Sequence, residues 1–160
     1  MGEYHIRRRD REITDREVMI GIMKSVKYLV VAMADGNEPY LVTLSCGYSE
    51  EENAFYFHCA REGRKLDVIA KNPRVCATAI EDHGYVRGDC SHKYRSLVIY
   101  GRMTRVDDLD GMKHGIRVMF NQLEGEGEEV YSGFIKKDAD FNNVAILKLQ
   151  VEKLDAKGNL

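Results

Sequence analysis

Six strand-like segments joined by short turns predict a mainly β chain with flanking helices, folded as a small antiparallel barrel that is closed or partly open. Three observations carry that expectation. The strands begin as a meander of three, Lys27–Ala34, Tyr40–Tyr48 and Ala54–Ala60. Helical periodicity then enters as insertions, a short one before the fourth strand and a longer one before the last. The longest strand segment, Tyr94–Val106, carries Gly101 in its interior, where a bulge or bend lets a small barrel turn a corner.

The composition narrows the function classes. A chain of 160 residues with 44% apolar and 31% charged side chains can bury a core and is far from a disordered composition. It reads as a single domain, 1–160, with residues 1–13 as an N-terminal arm. The net charge of −2 gives no basic field to attract nucleic acid. The longest apolar run, Tyr28–Ala34, is too short to span a bilayer, and no apolar run follows the basic N-terminus as in an export signal. Cys46, Cys59, Cys76 and Cys90 form no Cys-x-x-Cys pair and read as reduced thiols, so a cytoplasmic protein is expected.

In chain order, the arm Glu3–Ile13 interleaves Arg7, Arg8, Arg9 and Arg11 with Asp10 and Glu12, which nearly cancel their field. Thr14 with Glu17 suggests a capping box. Met19, Ile22, Met23 and Val26 then mark one face of a helix over about Asp15–Ser25. Lys27–Ala34 is apolar on both faces, as in a central strand. Asp35-Gly36-Asn37 reverses the chain into Tyr40–Tyr48, with Pro39 at its mouth. Ser49–Asn53 turns into Ala54–Ala60, which alternates Phe55, Phe57 and Cys59 against Tyr56 and His58.

After the short helix, Pro73 precedes a strand at Arg74–Glu81, and Asp82–Lys93 reads as an irregular loop. That loop holds His83, Asp89, Cys90 and His92 without a spacing of defined metal geometry, so no metal is assigned. Asp107 or Asp108 caps a helix striped by Leu109, Met112, Ile116, Met119, Phe120 and Leu123. An acidic, glycine-bearing connection covers Glu124–Glu129, Val130–Asp140 is ambiguous with helical character, and Val144–Glu152 closes the sheet.

The chemistry concentrates where Ala54–Ala60 meets the short helix, Glu62–Asn72. Arg61, Gly63, Arg64 and Lys65 crowd a helix start that is already the positive end of a dipole. A solvated basic turn with mild repulsion is one reading. The other is a bound phosphate, gripped by free N–H groups and two or three cations, with the glycine permitting close approach.

With that joint in place, the chain resembles the FMN-binding split-barrel group, the pyridoxamine 5′-phosphate oxidase-like superfamily. Within it, the chain is most similar to the Nim-type proteins associated with 5-nitroimidazole resistance. The resembling stretches are Pro39–Ser45, Phe57–Asp67 and Tyr94–Arg102, within a likeness running from about Arg7 to Leu154. The resemblance implies a six-stranded antiparallel split barrel and a homodimer with FMN at the subunit interface. It implies that Arg64 and Lys65 bind the phosphate, and that Val42, Thr43, Leu44 and Ser45 run along the isoalloxazine edge. Phe57, His58, Cys59 and Ala60 lie on the adjacent strand, with His58 the candidate catalytic residue. Tyr94, Arg95 and Ser96 come near the flavin. Where Nim relatives often carry Trp-Asn-Arg, this chain has Phe141-Asn142-Asn143, which leaves Phe141 to cover the partner subunit's flavin. No arginine follows Arg117, which disfavours a vitamin B6 oxidase, since those enzymes use an arginine-bearing C-terminal segment.

The function expected is a flavin-dependent oxidoreductase acting on a small electrophile such as a nitroimidazole. His58 would donate a proton, as imidazole titrates near neutrality; the alternative is a histidine that only walls the pocket. A non-catalytic FMN-binding or storage protein is the second reading. A third keeps the barrel but binds haem or a deazaflavin, with His58 or His92 as the iron ligand. No Gly-x-Gly-x-x-Gly follows a strand, so the electron donor is external.

Overall fold

The computed structural model describes residues 6–160, so the first residues of the arm, up to His5, lie outside it. Seven strands form one antiparallel sheet: β1 Tyr28–Asp35, β2 Glu38–Ser45, β3 Gly47–Ser49, β4 Ala54–Ala60, β5 Arg74–Val86, β6 Ser91–Val106 and β7 Val144–Asn159. Their order is β2-β1-β5-β6-β7-β4-β3. The outermost strands, β2 and β3, are separated in sequence by Cys46 alone, so the sheet must curl until its two edges meet. Among the described residues no ladder joins β2 to β4. The barrel is therefore open.

The sequence reading of one strand over Tyr40–Tyr48 is corrected here, and with it the count of six. Up to Ser45 the chain pairs with β1; from Gly47 it pairs with Tyr56–Ala54 of β4. Gly47 lies so close to the backbone of Val118 and Met119 that a Cβ would collide there. Two other boundaries move. The expected loop Asp82–Lys93 is mostly ladder, with Tyr85 opposite His92 and Val86 opposite Ser91 after an irregularity beyond Asp82. The last strand runs past Glu152 to Asn159 because Lys153–Asn159 pairs with Tyr94–Tyr100. At Gly101 the β6–β7 register shifts as expected, and a Cβ there would overlap the carbonyl of Gln150.

The helices are α1 Arg16–Ser25, α2 Arg64–Lys71, α3 Leu109–Glu124 and α4 Gly127–Phe134, with 3-10 turns at Arg9–Arg11 and Asp138–Asn143. The cap of α1 is Asp15, whose Oδ1 accepts from the Glu17 N–H at 2.9 Å. Thr14 stands one residue too early to do so. Asp108 caps α3, its Oδ1 accepting from the Gly111 N–H at 2.7 Å. The arm is tied to β7 by the Ile13 N–H, which donates to the Ala156 carbonyl at 2.9 Å.

Inside the barrel, Leu29, Val31, Phe55, Phe57, Leu97, Ile99, Met103, Leu147 and Leu149 are fully buried, with α1 and α2 contributing Ile22, Met23, Val68 and Ile69. The outer side of β4 and β7 carries a second core, in which Tyr56 and Ile146 meet Ile116 and Met119 of α3, Tyr131 of α4 and Phe141. Glu52 clamps that layer: its carboxylate accepts from Tyr56 Oη, His114 Nε2 and Lys148 Nζ at 2.7–3.0 Å. Among the described residues the outer side of β2, β1 and β5 has no such cover, leaving Tyr28, Leu41, Ile80 and Tyr85 exposed.

Candidate functional site

The joint between β4 and α2 has the geometry of a cradle that could hold an anion. Gly63 is the N-cap residue, at φ 140° and ψ 159°, a conformation nearly closed to other residues. No side chain caps the helix. Among the described residues the N–H groups of Arg64 and Lys65 find no acceptor. A Cβ on Gly63 would stand 3.9 Å from Lys65 Nζ, so that ammonium folds back over the cradle. The Arg64 guanidinium lies 4.5 Å from the ring centroid of Tyr40 on β2, held by a cation–π contact. Free N–H groups, two cations and an open approach suit a phosphate dianion.

Arg61 does not share this cradle. Its Nη1 donates to the Asn142 carbonyl at 2.6 Å. The cations crowded at this joint are thereby divided, Arg64 toward β2 and Arg61 toward the turn before β7.

The cradle opens at the end of a slot between two strand edges. β2 is terminal in the sheet, so half of its N–H and C=O groups face away from β1 without a ladder. β3 pairs only with Ala54–Tyr56, so β4 from Phe57 to Ala60 is unpaired on the same side. Continuing the Gly47–Tyr56 register would set Ser45 opposite His58 and Thr43 opposite Ala60. Val42, Thr43, Leu44 and Ser45 thus offer backbone groups from one wall and Phe57, His58, Cys59 and Ala60 from the other. The side chains of Phe57 and Leu44 point into the core.

His58 is exposed and makes no side-chain hydrogen bond among the described residues. The Cys59 thiol is pushed up by burial, against the pull of Lys65 and Arg105. Cys46, fully buried at the strand break, is pushed up to about 12 by burial. Neither is a poised thiolate.

Other expected site residues lie apart. Tyr94, Arg95 and Ser96 are on β6, separated from β2 by β1 and β5. Ser96 pairs with Ile80, five residues along β6 from Gly101, which pairs with Val75 near the α2 end of the barrel. At ~4.8 Å per strand and ~3.3 Å per residue, that is roughly 15 Å across the sheet and about as far along it. Arg95 is also engaged, its Nε donating to Glu81 Oε2 at 2.7 Å. Phe141 is 4% exposed and packed in the outer core against α3 and α4. The chain holds the cradle and slot together and keeps Tyr94–Ser96 elsewhere.

Sequence reasoning missed Tyr40 as the platform for Arg64. Its place in an alternating strand marks it as half-buried, but nothing local shows that α2 begins beside it. It also missed the Glu52 clamp, whose members are spread from position 52 to 148.

A family model described as pyridoxamine 5′-phosphate oxidase matches residues 15–157. Among solved structures, a candidate 5-nitroimidazole antibiotic resistance protein from Bacteroides thetaiotaomicron superposes with TM-score 0.78 at 23% identity, covering 91% of this chain and 85% of that one. An FAD-binding protein from Mesorhizobium loti gives TM-score 0.68 at 21% identity, covering 94% and 98%. A flavocytochrome from Azotobacter vinelandii gives 0.80 at 14% identity, covering 98% and 73%. At these identities the likeness establishes the fold. Among the curated proteins none matches.

Proposed function

The chain belongs to the pyridoxamine 5′-phosphate oxidase family, and on that premise we propose that it is a homodimeric FMN-binding flavoprotein of the cytoplasm that reduces a small electrophile such as a nitroimidazole. The observation that carries this reading is the uncapped start of α2, with Arg64 and Lys65 beside it, at the mouth of a slot with two unpaired strand edges. Solved neighbours described as a flavin binder and as a nitroimidazole resistance protein support the choice of cofactor and substrate.

The protein's part is to hold and orient. Arg64, Lys65 and the free N–H groups take the phosphate, and the edges of β2 and β4 hydrogen-bond a planar heterocycle. FMN, when bound, supplies the electron transfer. His58, exposed on the β4 wall, donates a proton to the reduced substrate. The bare outer face of β2, β1 and β5 is the dimer surface, and a partner's Tyr94–Ser96 completes the site that one chain leaves divided.

The test is anaerobic. Protein loaded with FMN is reduced chemically, mixed with a nitroimidazole and followed at the flavin's blue band. Reoxidation with substrate consumption, slowed in His58→Gln at unchanged FMN content, is the expected result. Flavin that stays reduced beside intact substrate would make this a storage protein for that substrate class.

A further inference from the structure

The cation left over from the cradle, Arg61, faces two adjoining hollows of about 810 and 500 Å³. Both are lined by Arg61, Arg105 and Asp107; neither is lined by Arg64 or Lys65. One hollow runs under α2, against Leu66 and Pro73, and the other runs toward Met112 and Phe141. Two guanidinium groups thus share one wall, with apolar surface on either side.

Most of the donors remain free. A guanidinium offers five N–H groups. Arg61 spends one on the Asn142 carbonyl, and Arg105 engages Asp107 Oδ1 through Nε at 3.2 Å. Asp107 is 82% exposed, which weakens that pair by solvation. Of the other carboxylates lining the hollows, Asp138 is held by Lys113 at 2.7 Å; Glu62 and Asp67 lie on the α2 side.

We propose that Arg61 and Arg105 form a clamp for a small organic carboxylate, whose apolar body lies against Leu66 and Pro73 or against Met112 and Phe141. The guanidinium forks read the planar carboxylate, and the flanking apolar walls select a hydrocarbon or aromatic body over a bare inorganic ion. The clamp uses neither cation of the cradle, although the hollow under α2 also touches the cap residue Gly63.

Benzoate is the probe, titrated into the full-length protein and followed by NMR at the arginine Nε–H groups and backbone amides. Saturable shifts at Arg61 and Arg105 are expected, with Leu66 or Phe141 moving according to the hollow occupied, and none from benzylamine, the same ring bearing the opposite charge. Arg105→Gln should weaken benzoate roughly tenfold or more, with Arg105→Lys in between. Arg61→Gln should do the same but also loosens the Asn142 turn, so Arg105→Gln, whose guanidinium pairs only with exposed Asp107 among the described residues, decides the matter. Unmoved arginine signals, or equal benzoate affinity in Arg105→Gln, would overturn the proposal. So would shifts that vanish in Arg64→Ala/Lys65→Ala yet persist in Arg105→Gln, since the anion would then sit in the cradle.

Discussion

The two outer sides of the same sheet are finished differently. Over β4 and β7 the chain lays α3, α4 and the 138–143 turn, burying Tyr56 and Ile146 and locking the layer with Glu52. Over β2, β1 and β5 no described residue forms such a layer, and Tyr28, Leu41 and Ile80 are each more than half exposed. The first side is completed by local sequence. The second is apolar enough to need a cover that no described element supplies, and it borders the strand edge that walls the slot. Stability therefore belongs to the covered side, while the bare one is where the proposed function places assembly and ligand binding.

Charging the bare side is expected to have the largest effect. Ile80→Arg should shift the dimer toward monomer by a hundredfold or more, because a buried unpaired charge costs several kcal/mol. Light scattering at graded concentration reads the mass, and FMN should be lost with the dimer. Next comes the cradle. Gly63→Val forces a β-branched residue into a conformation that costs about 1–3 kcal/mol, and FMN affinity should fall roughly tenfold by fluorescence titration.

The covered side gives the smallest effect, and it should leave FMN affinity untouched. Partial burial would raise the Glu52 carboxyl, but hydrogen bonds from Lys148, His114 and Tyr56 outweigh it and bring the group to about 2. A depressed carboxyl contributes fully above its ordinary value near 4.5, and that contribution is lost as pH falls through about 2. Glu52→Gln should thus cost about 1 kcal/mol at neutral pH and flatten the acid limb of stability in urea melts.

Much of the fold was legible because alternation is a strong local signal. Phe55, Phe57 and Cys59 against Tyr56 and His58, and the apolar face of Val144–Glu152, mark strands without help. The break at Cys46 was not legible. No glycine or proline interrupts Tyr40–Cys46, and the cause is the approach of α3 to Gly47, some seventy residues away in sequence. The tail of β7 was missed because Lys153, Asp155 and Lys157 face outward and dilute the pattern.

At the site, the crowding of Arg61, Gly63, Arg64 and Lys65 was visible. Its division was not, because it depends on Asn142 lying to one side of the joint and Tyr40 to the other. The expectation for Tyr94–Ser96 came only from resemblance, since no local pattern ties it to a cradle three strand spacings away across the sheet.

The phosphate of FMN is proposed to sit at the start of α2. Fluorescence titration of FMN into wild-type protein and into Arg64→Ala/Lys65→Ala, with circular dichroism to confirm equal folding, tests it most directly. Two lost charge-assisted contacts should weaken binding at least a hundredfold, at about 1.5–3 kcal/mol each. A folded double variant that still binds FMN as tightly as the wild type would contradict it.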